Sequence, residues 1–276
     1  MSGTLYLVPT PIGNLSDLSY RIVKTLEEAD FIAAEDTRVT LKLLNHLELK
    51  KPMVSYYRHN TRTGGEAVLA RLLAGENGAL VTDAGTPAIS DPGEELVAQC
   101  AAADIPVVAV PGPCALVTAL AVSGLPTGRF TFEGFLAMNK KNRRAHLESL
   151  KGEERTMIFY EAPHKLLSTL EDLREAFGAE RRISLCRELT KLHEEVLRTT
   201  LAGAANYYQN TPPKGEFVLV VEGDCPREKD SPTIEEALER VDRYRQSGMT
   251  LRDAVKQAAK ELEIPKNKLY DEALKN

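Results

Sequence analysis

Several features are scarce or missing in this chain, and each absence argues against a class of protein. The four cysteines stand far apart, at Cys100, Cys114, Cys186 and Cys225, so no two have metal-ligand spacing. We therefore expect four reduced thiols and no metal site. Neither a basic stretch nor an apolar leader follows Met1, which predicts a cytoplasmic protein. The first apolar run lacks a Gly-x-Gly-x-x-Gly continuation, which argues against a dehydrogenase.

Positive charge and long apolar segments are also limited. The chain has 35 Lys and Arg against 40 Asp and Glu, a formal charge of -5, which argues against a protein that coats nucleic acid indiscriminately. The segment 105–126 carries no charge, but prolines and glycines interrupt it. This pattern favours a buried strand, a turn and a buried helix over a membrane span.

Two sets of strand-like runs alternate with helical patterns and predict an α/β protein with two domains. Leu18, Ile22 and Leu26 illustrate the helical spacing between the first two runs. The predicted strands of the first set are 5–8, 31–34, 53–57, 79–82 and 107–110. Those of the second set are 130–135, 156–160, 183–188, 194–200 and 216–222, with short connections that indicate a mixed sheet. We place the domains at 1–123 and 124–228, with a cleft between them.

The last part of the chain predicts a small helical module at 231–276. A polar stretch, 224–232, precedes it and is typical of a linker. Thr250 can cap a helix through Leu262, and Pro265 turns the chain into a last helix from Lys266 to Leu274. The outline resembles a helix-turn-helix, but the module has no excess of positive charge. An RNA-binding role and a packing or dimerisation role both stay open.

Three strands of the first domain end in rigid loops of small residues. These loops are 9–14 after the first strand, 83–93 after the fourth and 111–115 after the fifth. Glycine allows a close backbone approach to a ligand, proline fixes the loop shape, and the carboxyl ends of parallel strands share one edge of the sheet. We therefore expect the loops to line one cleft, although each alone is compatible with an ordinary turn.

These loops and two further segments resemble the bacterial 16S ribosomal RNA cytidine 2'-O-methyltransferases of the tetrapyrrole-methylase superfamily. The matching segments occur in the same order along the chain: VPTPIGNL (8–15), AAEDTR (33–38), DAGTP with SDPG (83–87 and 90–93), PGPCA (111–115) and FYEAPH (159–164). The resemblance implies S-adenosylmethionine as methyl donor, a ribose hydroxyl in the ribosomal decoding region as acceptor, and a homodimer. It thus implies 16S ribosomal RNA, within the small subunit, as the partner.

The loops and this resemblance together predict a cofactor site between the two α/β domains. Tyr160 would reach it from the second domain. The predicted cofactor-binding residues are Pro9, Asp83, Gly85, Thr86, Ile89, Cys114, Ala115 and Tyr160.

Methyl transfer to a ribose hydroxyl depends on alignment and on a group that helps the hydroxyl lose its proton. The candidates are Glu35, Asp36 and Arg38, directly after the second strand. Asp36 and Arg38 can equally pair with each other. Weaker candidates are Arg58 and His59 after the third strand, and Glu161, His164, Glu188 and Lys191 in the second domain.

A basic cluster gives the strongest local indication of RNA binding. Lys140, Lys141, Arg143 and Arg144 lie within five positions, without an acid before Glu148. Such a cluster suits phosphate contacts, which add affinity but no sequence recognition. A solvated loop is the alternative.

Three functions are compatible with these patterns. The first is the ribosomal RNA methyltransferase, which the basic cluster and the helical module favour. The second is a methyltransferase of the same fold acting on a tetrapyrrole or another small molecule. The third is a non-catalytic nucleotide-binding or RNA-binding protein, which would bind S-adenosylmethionine without transferring its methyl group.

Overall fold

The structure is a computed structural model and describes residues 2–224, 234–262 and 264–274.

Five parallel strands form the first sheet. The strands are β1 (Leu5–Leu7), β2 (Phe31–Ala34), β3 (Met53–Ser55), β4 (Gly78–Val81) and β5 (Val107–Ala109). They lie in the order β3-β2-β4-β1-β5, and all neighbours are parallel. Their carboxyl ends therefore meet at one edge of the sheet.

Helices cover both faces of this sheet, which explains why its strands are continuous apolar runs. They are α1 (Tyr20–Glu28), α2 (Thr37–His46), α3 (Thr61–Leu73) and α4 (Glu94–Ala102). A fifth helix, α5 (Ala115–Val122), follows β5 and packs against the second sheet. Val68, Leu72 and Leu96 belong to the core on one face, and Ile22 and Leu44 to the core on the other.

The second sheet is mixed, as its short connections predict. Its strands are β6 (Phe130–Phe135), β7 (Thr156–Glu161), β8 (Arg182–Arg187), β9 (Glu195–Thr200) and β10 (Phe217–Val221). They lie in the order β6-β7-β10-β8-β9, with β6 and β7 parallel and the other neighbours antiparallel.

Helices pack against both faces of the second sheet. Helices α6 (Lys140–Ser149), α7 (Leu166–Phe177) and α8 (Leu201–Asn210) bury one face of the second sheet. The other face packs against α5, where Leu116 and Leu120 contact the core around Ile158 and Val220. Because α5 follows β5 directly, this packing brings the carboxyl edge of the first sheet next to the second sheet.

The chain forms two compact units, residues 1–223 and 224–276, and both sheets lie in the first. The two α/β arrangements confirm the predicted fold class. The boundaries 1–123, 124–228 and 231–276 stay predictions, and most of the predicted linker, with Cys225, lies outside the described residues.

The second unit consists of three helices with a core of their own. They are α9 (Ile234–Gln246), α10 (Leu251–Glu261) and α11 (Lys266–Ala273). Thr250 caps α10 as predicted, since its hydroxyl accepts a hydrogen bond from the Asp253 N–H at 3.2 Å. Val241, Val255 and Leu269 are buried between the helices. Within the described ranges, no helix is both long and apolar enough to cross a membrane.

Candidate active site

The three small-residue loops are joined to one another by hydrogen bonds. The Thr10 N–H donates to the Gly85 carbonyl at 2.9 Å, and the Gly85 N–H donates back to Thr10 at 3.0 Å. The Thr10 hydroxyl donates to the Thr82 carbonyl at 3.0 Å, and the Thr86 hydroxyl donates to Pro113 at 2.9 Å. These bonds connect the ends of β1, β4 and β5, so the shape of this edge is set before a ligand binds.

A cavity of about 540 Å³ lies between this edge and the second sheet. Seven of the eight predicted cofactor residues line it: Asp83, Gly85, Thr86, Ile89, Cys114, Ala115 and Tyr160. Pro9 does not. Pro9 instead packs against the loop that follows β5, where a Cβ added to Gly112 would lie only 2.9 Å from the Pro9 Cβ.

Gly85 is required for its backbone conformation. Its φ is +88°, a region that residues with a Cβ rarely adopt. Space is not the constraint, because the atom nearest to an added Cβ would be the Ile12 Cγ2 at 3.5 Å. The glycine therefore shapes the loop and leaves its backbone open towards the cavity.

The second sheet supplies an aromatic wall around Tyr160. The Tyr160 ring contacts Phe132 and Phe135 edge-on, with centroid distances of 4.9 and 5.6 Å. Burial raises the pKa of the Tyr160 phenol, so it stays protonated at neutral pH. Its ring offers an apolar surface of the kind that packs against a planar ligand.

Further residues of this wall come from β8, β10 and the loops around them, which sequence patterns did not single out as a group. Lys191 Nζ lies 2.8 Å from both a Glu188 and a Glu216 carboxylate oxygen. Lys191 and its hydrogen bond lower the pKa of Glu188. The other lining residues here are Cys186, Leu189, Phe217 and Val218. In the sequence, these lining residues are distinguished only by their position at or near the ends of predicted strands.

Glu161 is held by a chain of buried contacts that reaches the basic cluster. Its carboxylate accepts hydrogen bonds from the Ala162 N–H at 2.9 Å and from the Thr169 hydroxyl at 2.5 Å. The Arg143 guanidinium donates to that hydroxyl at 2.7 Å and pairs with Asp172 at 2.5 Å. Arg143 thus supports a cavity-lining carboxylate.

Its burial distinguishes Arg143 from the other three residues of the predicted RNA-binding cluster. Lys140, Lys141 and Arg144 are exposed at the start of α6, but Arg143 is only 8% exposed. Its position explains the difference. Arg143 lies one turn before Leu147 on the face of α6 that packs inwards.

The predicted catalytic segment divides into two parts. Arg38 and Asp36 form a paired contact, with nitrogen–oxygen distances of 2.6 and 3.0 Å. This contact lowers the pKa of Asp36 to about 2, and neither residue lines the cavity. Glu35 does line it, and accepts a hydrogen bond from the Thr82 hydroxyl at 2.6 Å.

Asp91 also lines the cavity, although its segment, which matches the family, predicted no particular role for this residue. Burial, the charge of Glu35 and that of Asp83 raise the pKa of Asp91 to about 6. Burial and the charge of Glu35 likewise raise the pKa of Asp83. Of the weaker candidates, Glu161, Glu188 and Lys191 line this cavity. His59 and His164 are exposed.

The raised pKa of Asp91 predicts a pH-dependent stability difference for Asp91→Asn. The protonated form is favoured on folding, so its stabilising contribution is present at pH 4 and is lost as the pH rises through about 6. The variant should therefore exceed the parent in stability at pH 7.5 by about 1 kcal/mol, allowing for partial exposure, or about 2–4 °C in Tm. Thermal melts at pH 7.5 and pH 4 check this, and equal differences at both pH values would contradict it.

The described ranges contain no group of three or more His, Cys, Asp or Glu side chains that could hold a metal ion. The lining of the cavity consists of small-residue loops, an aromatic wall and several carboxylates. An apolar cavity of this size with a few convergent polar groups is typical of a small-molecule site.

The chain matches a known protein family over most of its length. Residues 4–205 match the family model described as Tetrapyrrole (Corrin/Porphyrin) Methylases. Among solved structures, the uroporphyrin-III C-methyltransferase of Thermus thermophilus complexed with S-adenyl homocysteine is similar in fold. Its TM-score is 0.57 at 16% identity, over 80% of this chain and 97% of that one.

Relatives that match over nearly the full chain indicate a more specific family. A Synechocystis protein named ribosomal RNA small subunit methyltransferase I is 49% identical, over 99% of this chain and 98% of its own length. A Halalkalibacterium halodurans protein of the same name is 48% identical, over 98% and 94%. The chain therefore belongs to the tetrapyrrole methylase family and, within it, to the family of these ribosomal RNA methyltransferases.

Proposed function

We propose that this protein transfers a methyl group from S-adenosylmethionine to the ribose 2'-hydroxyl of a cytidine in the decoding region of 16S ribosomal RNA. The strongest support is 49% identity, over nearly the whole chain, to a protein named ribosomal RNA small subunit methyltransferase I. In this proposal the enzyme works in the cytoplasm as a homodimer.

The cavity fits S-adenosylmethionine, which supplies a methyl group on a positively charged sulfonium. Its volume of about 540 Å³ is in the range typical of small-molecule sites. The backbone at Gly85 is open to close approach, and Tyr160 provides an apolar face. The carboxylates of Glu35 and Asp83 complement the positive charge of the cofactor. We propose that Gly85, Thr86, Ile89, Cys114, Ala115 and Tyr160 contact it directly.

The remaining candidate residues suit the RNA substrate. Lys140, Lys141 and Arg144 are exposed, and none of them has an ion-pair partner within the described ranges. Arg38 is 88% exposed at its side chain and is held in one orientation by Asp36. We propose that these cations contact phosphates, and that the pair of Arg38 and Asp36 positions the ribose rather than removing its proton. A carboxylate with a pKa of about 2 is a weak base at neutral pH.

A transfer assay tests the proposal. The protein is incubated with S-adenosylmethionine labelled in its methyl group and with one of three acceptors: small ribosomal subunits, protein-free 16S ribosomal RNA, or uroporphyrinogen. We expect label in the RNA of at least one ribosomal acceptor and none in the tetrapyrrole. Label in the tetrapyrrole alone would favour the small-molecule alternative. Cofactor binding without transfer to any acceptor would favour a non-catalytic protein.

A further inference from the structure

Phe135, the last residue of β6, lies exposed at the entrance of the cavity. It belongs to the cavity lining, yet the residue is 59% exposed. The centroid of its ring lies 5.6 Å from that of Tyr160, which also contacts Phe132 at 4.9 Å. Because Phe132 and Tyr160 are only partly exposed, Phe135 forms the outer end of the aromatic wall.

A β-bulge places Phe135 on this face of the sheet. The register between β6 and β7 shifts between Phe132 and Gly134, so that Phe132 lies opposite Ile158 and Phe135 lies opposite Tyr160. In a regular strand, residues three positions apart point to opposite faces, and the extra residue of the bulge returns Phe135 to the face of Phe132. Gly134 has a φ of +62°, a conformation that favours glycine. Bulges of this kind redirect side chains next to active sites.

The bulge also joins β6 to the helix that carries the exposed cations. The Glu133 carboxylate lies 2.8 Å from His146 Nε2 in α6, which packs on the opposite face of the sheet. The first turns of α6 expose Lys140, Lys141 and Arg144. Lys140 follows Phe135 by five residues, so their Cα atoms are at most about 18 Å apart. The fold thus holds an exposed aromatic ring close to a group of positive charges.

We propose that Phe135 is a stacking platform for an unpaired base of the RNA substrate. This inference rests on the proposed function. Proteins bind single-stranded RNA by stacking its bases on exposed aromatic rings, while neighbouring cations contact its phosphates. Phe135 and the cations of α6 provide these two elements. A base stacked on Phe135 holds the strand at the entrance of the cavity, next to the methyl donor inside.

Stacking at this position selects unpaired RNA rather than a sequence. Every base has a π-face, but a base within a duplex is already stacked between its neighbours and does not reach a protein ring. Phe130, at the other end of β6, provides a matched control. It is 40% exposed but does not line the cavity, and about 17 Å of strand separates it from Phe135.

Steady-state transfer to small ribosomal subunits tests the role of the ring, at a cofactor concentration that saturates every variant. Phe135→Leu keeps an apolar side chain but removes the ring, so KM for the subunit should rise about 5- to 150-fold, the effect of one lost stacked base. The kcat should change less than about threefold, because a stacked base is bound in the ground state and the transition state alike. Phe135→Trp keeps a stacking surface, and its KM should stay within about threefold of the parent. Phe130→Leu should leave KM unchanged.

Fluorescence detects the stacking itself. The chain contains no tryptophan, so Phe135→Trp adds a single indole at the entrance of the cavity. In protein saturated with S-adenosylhomocysteine, its emission should be quenched by a short single-stranded oligocytidylate, because a stacked base quenches an indole. The same strand paired with its complement should bind the cations without quenching. Phe130→Trp should be quenched by neither.

Each outcome decides between the possibilities. A parent that transfers no methyl group to any ribosomal acceptor would overturn the proposed function, and the inference with it. An active parent whose Phe135→Leu variant keeps the parent's KM for the subunit would overturn the inference alone. Equal emission of Phe135→Trp with the single strand and with the duplex would overturn it as well. If Phe135→Leu weakens cofactor binding but leaves this KM unchanged, the ring only supports Tyr160 in the cofactor site.

Discussion

Gly85→Asp is expected to abolish measurable cofactor binding in a protein that stays folded. The new side chain would occupy the floor of the cavity and add a negative charge beside Glu35 and Asp83, whose carboxylates already line it. We expect the Kd for S-adenosylmethionine to rise more than a hundredfold, or at least about 2.7 kcal/mol. Isothermal titration calorimetry measures this directly.

Gly85→Ala is the matched control, because it has the same backbone penalty without the longer charged side chain. An added Cβ meets no atom closer than 3.5 Å, but the φ of +88° disfavours it by about 1–2 kcal/mol. The alanine variant should therefore have a lower Tm and a much smaller loss of affinity. If folded Gly85→Asp binds the cofactor within about threefold of the parent, the cofactor does not lie against this loop.

Replacing Lys140, Lys141 and Arg144 together with alanine should weaken RNA binding and flatten its salt dependence. Each phosphate contact contributes about 0.7 to 0.9 to the slope of log affinity against log salt, so three contacts contribute about two to three units. Cofactor binding should be unchanged. Titrations of parent and triple variant with 16S ribosomal RNA at several salt concentrations give the slopes. Parallel plots with equal affinities would show that this surface does not bind RNA.

Arg143→Ala is the control for this cluster, since it removes a positive charge from the same helix but from a buried position. The variant loses the hydrogen bond that Arg143 donates to the Thr169 hydroxyl and the ion pair with Asp172, so the free energy of unfolding should fall by about 1–3 kcal/mol. The salt slope of RNA binding should stay that of the parent. Comparing the triple variant with Arg143→Ala separates the effect of lost phosphate contacts on RNA binding from the effect of lower stability.

Local patterns predict the sheets of this protein well, because the strands are apolar and bounded by turn residues. The bounds of β2 and β6 agree with the predicted runs 31–34 and 130–135. The prediction for β3 extends two residues too far, to Tyr57, since Tyr56 and Tyr57 continue the apolar run after the ladder ends. At such strand ends the chain leaves the sheet and begins to line a cavity.

The site is less predictable, because its neighbours come from distant parts of the chain. The burial of Arg143 depends on Thr169 and Asp172 in α7, which the charge pattern of residues 140–144 does not contain. The raised pKa of Asp91 depends on Glu35 after β2 and Asp83 after β4, which meet only because those strands lie side by side. The sequence shows a loop of unusual composition, but the charges around it follow from the strand order.

The identity of the methylated nucleoside tests the proposed function most directly. Small subunits that lack this modification are incubated with the protein and S-adenosylmethionine, and their 16S ribosomal RNA is digested to nucleosides and analysed by mass spectrometry. We expect one new product, cytidine with the added methyl group on the ribose, located in the decoding region. A methyl group on a base, on another nucleoside, or on no RNA at all would contradict it.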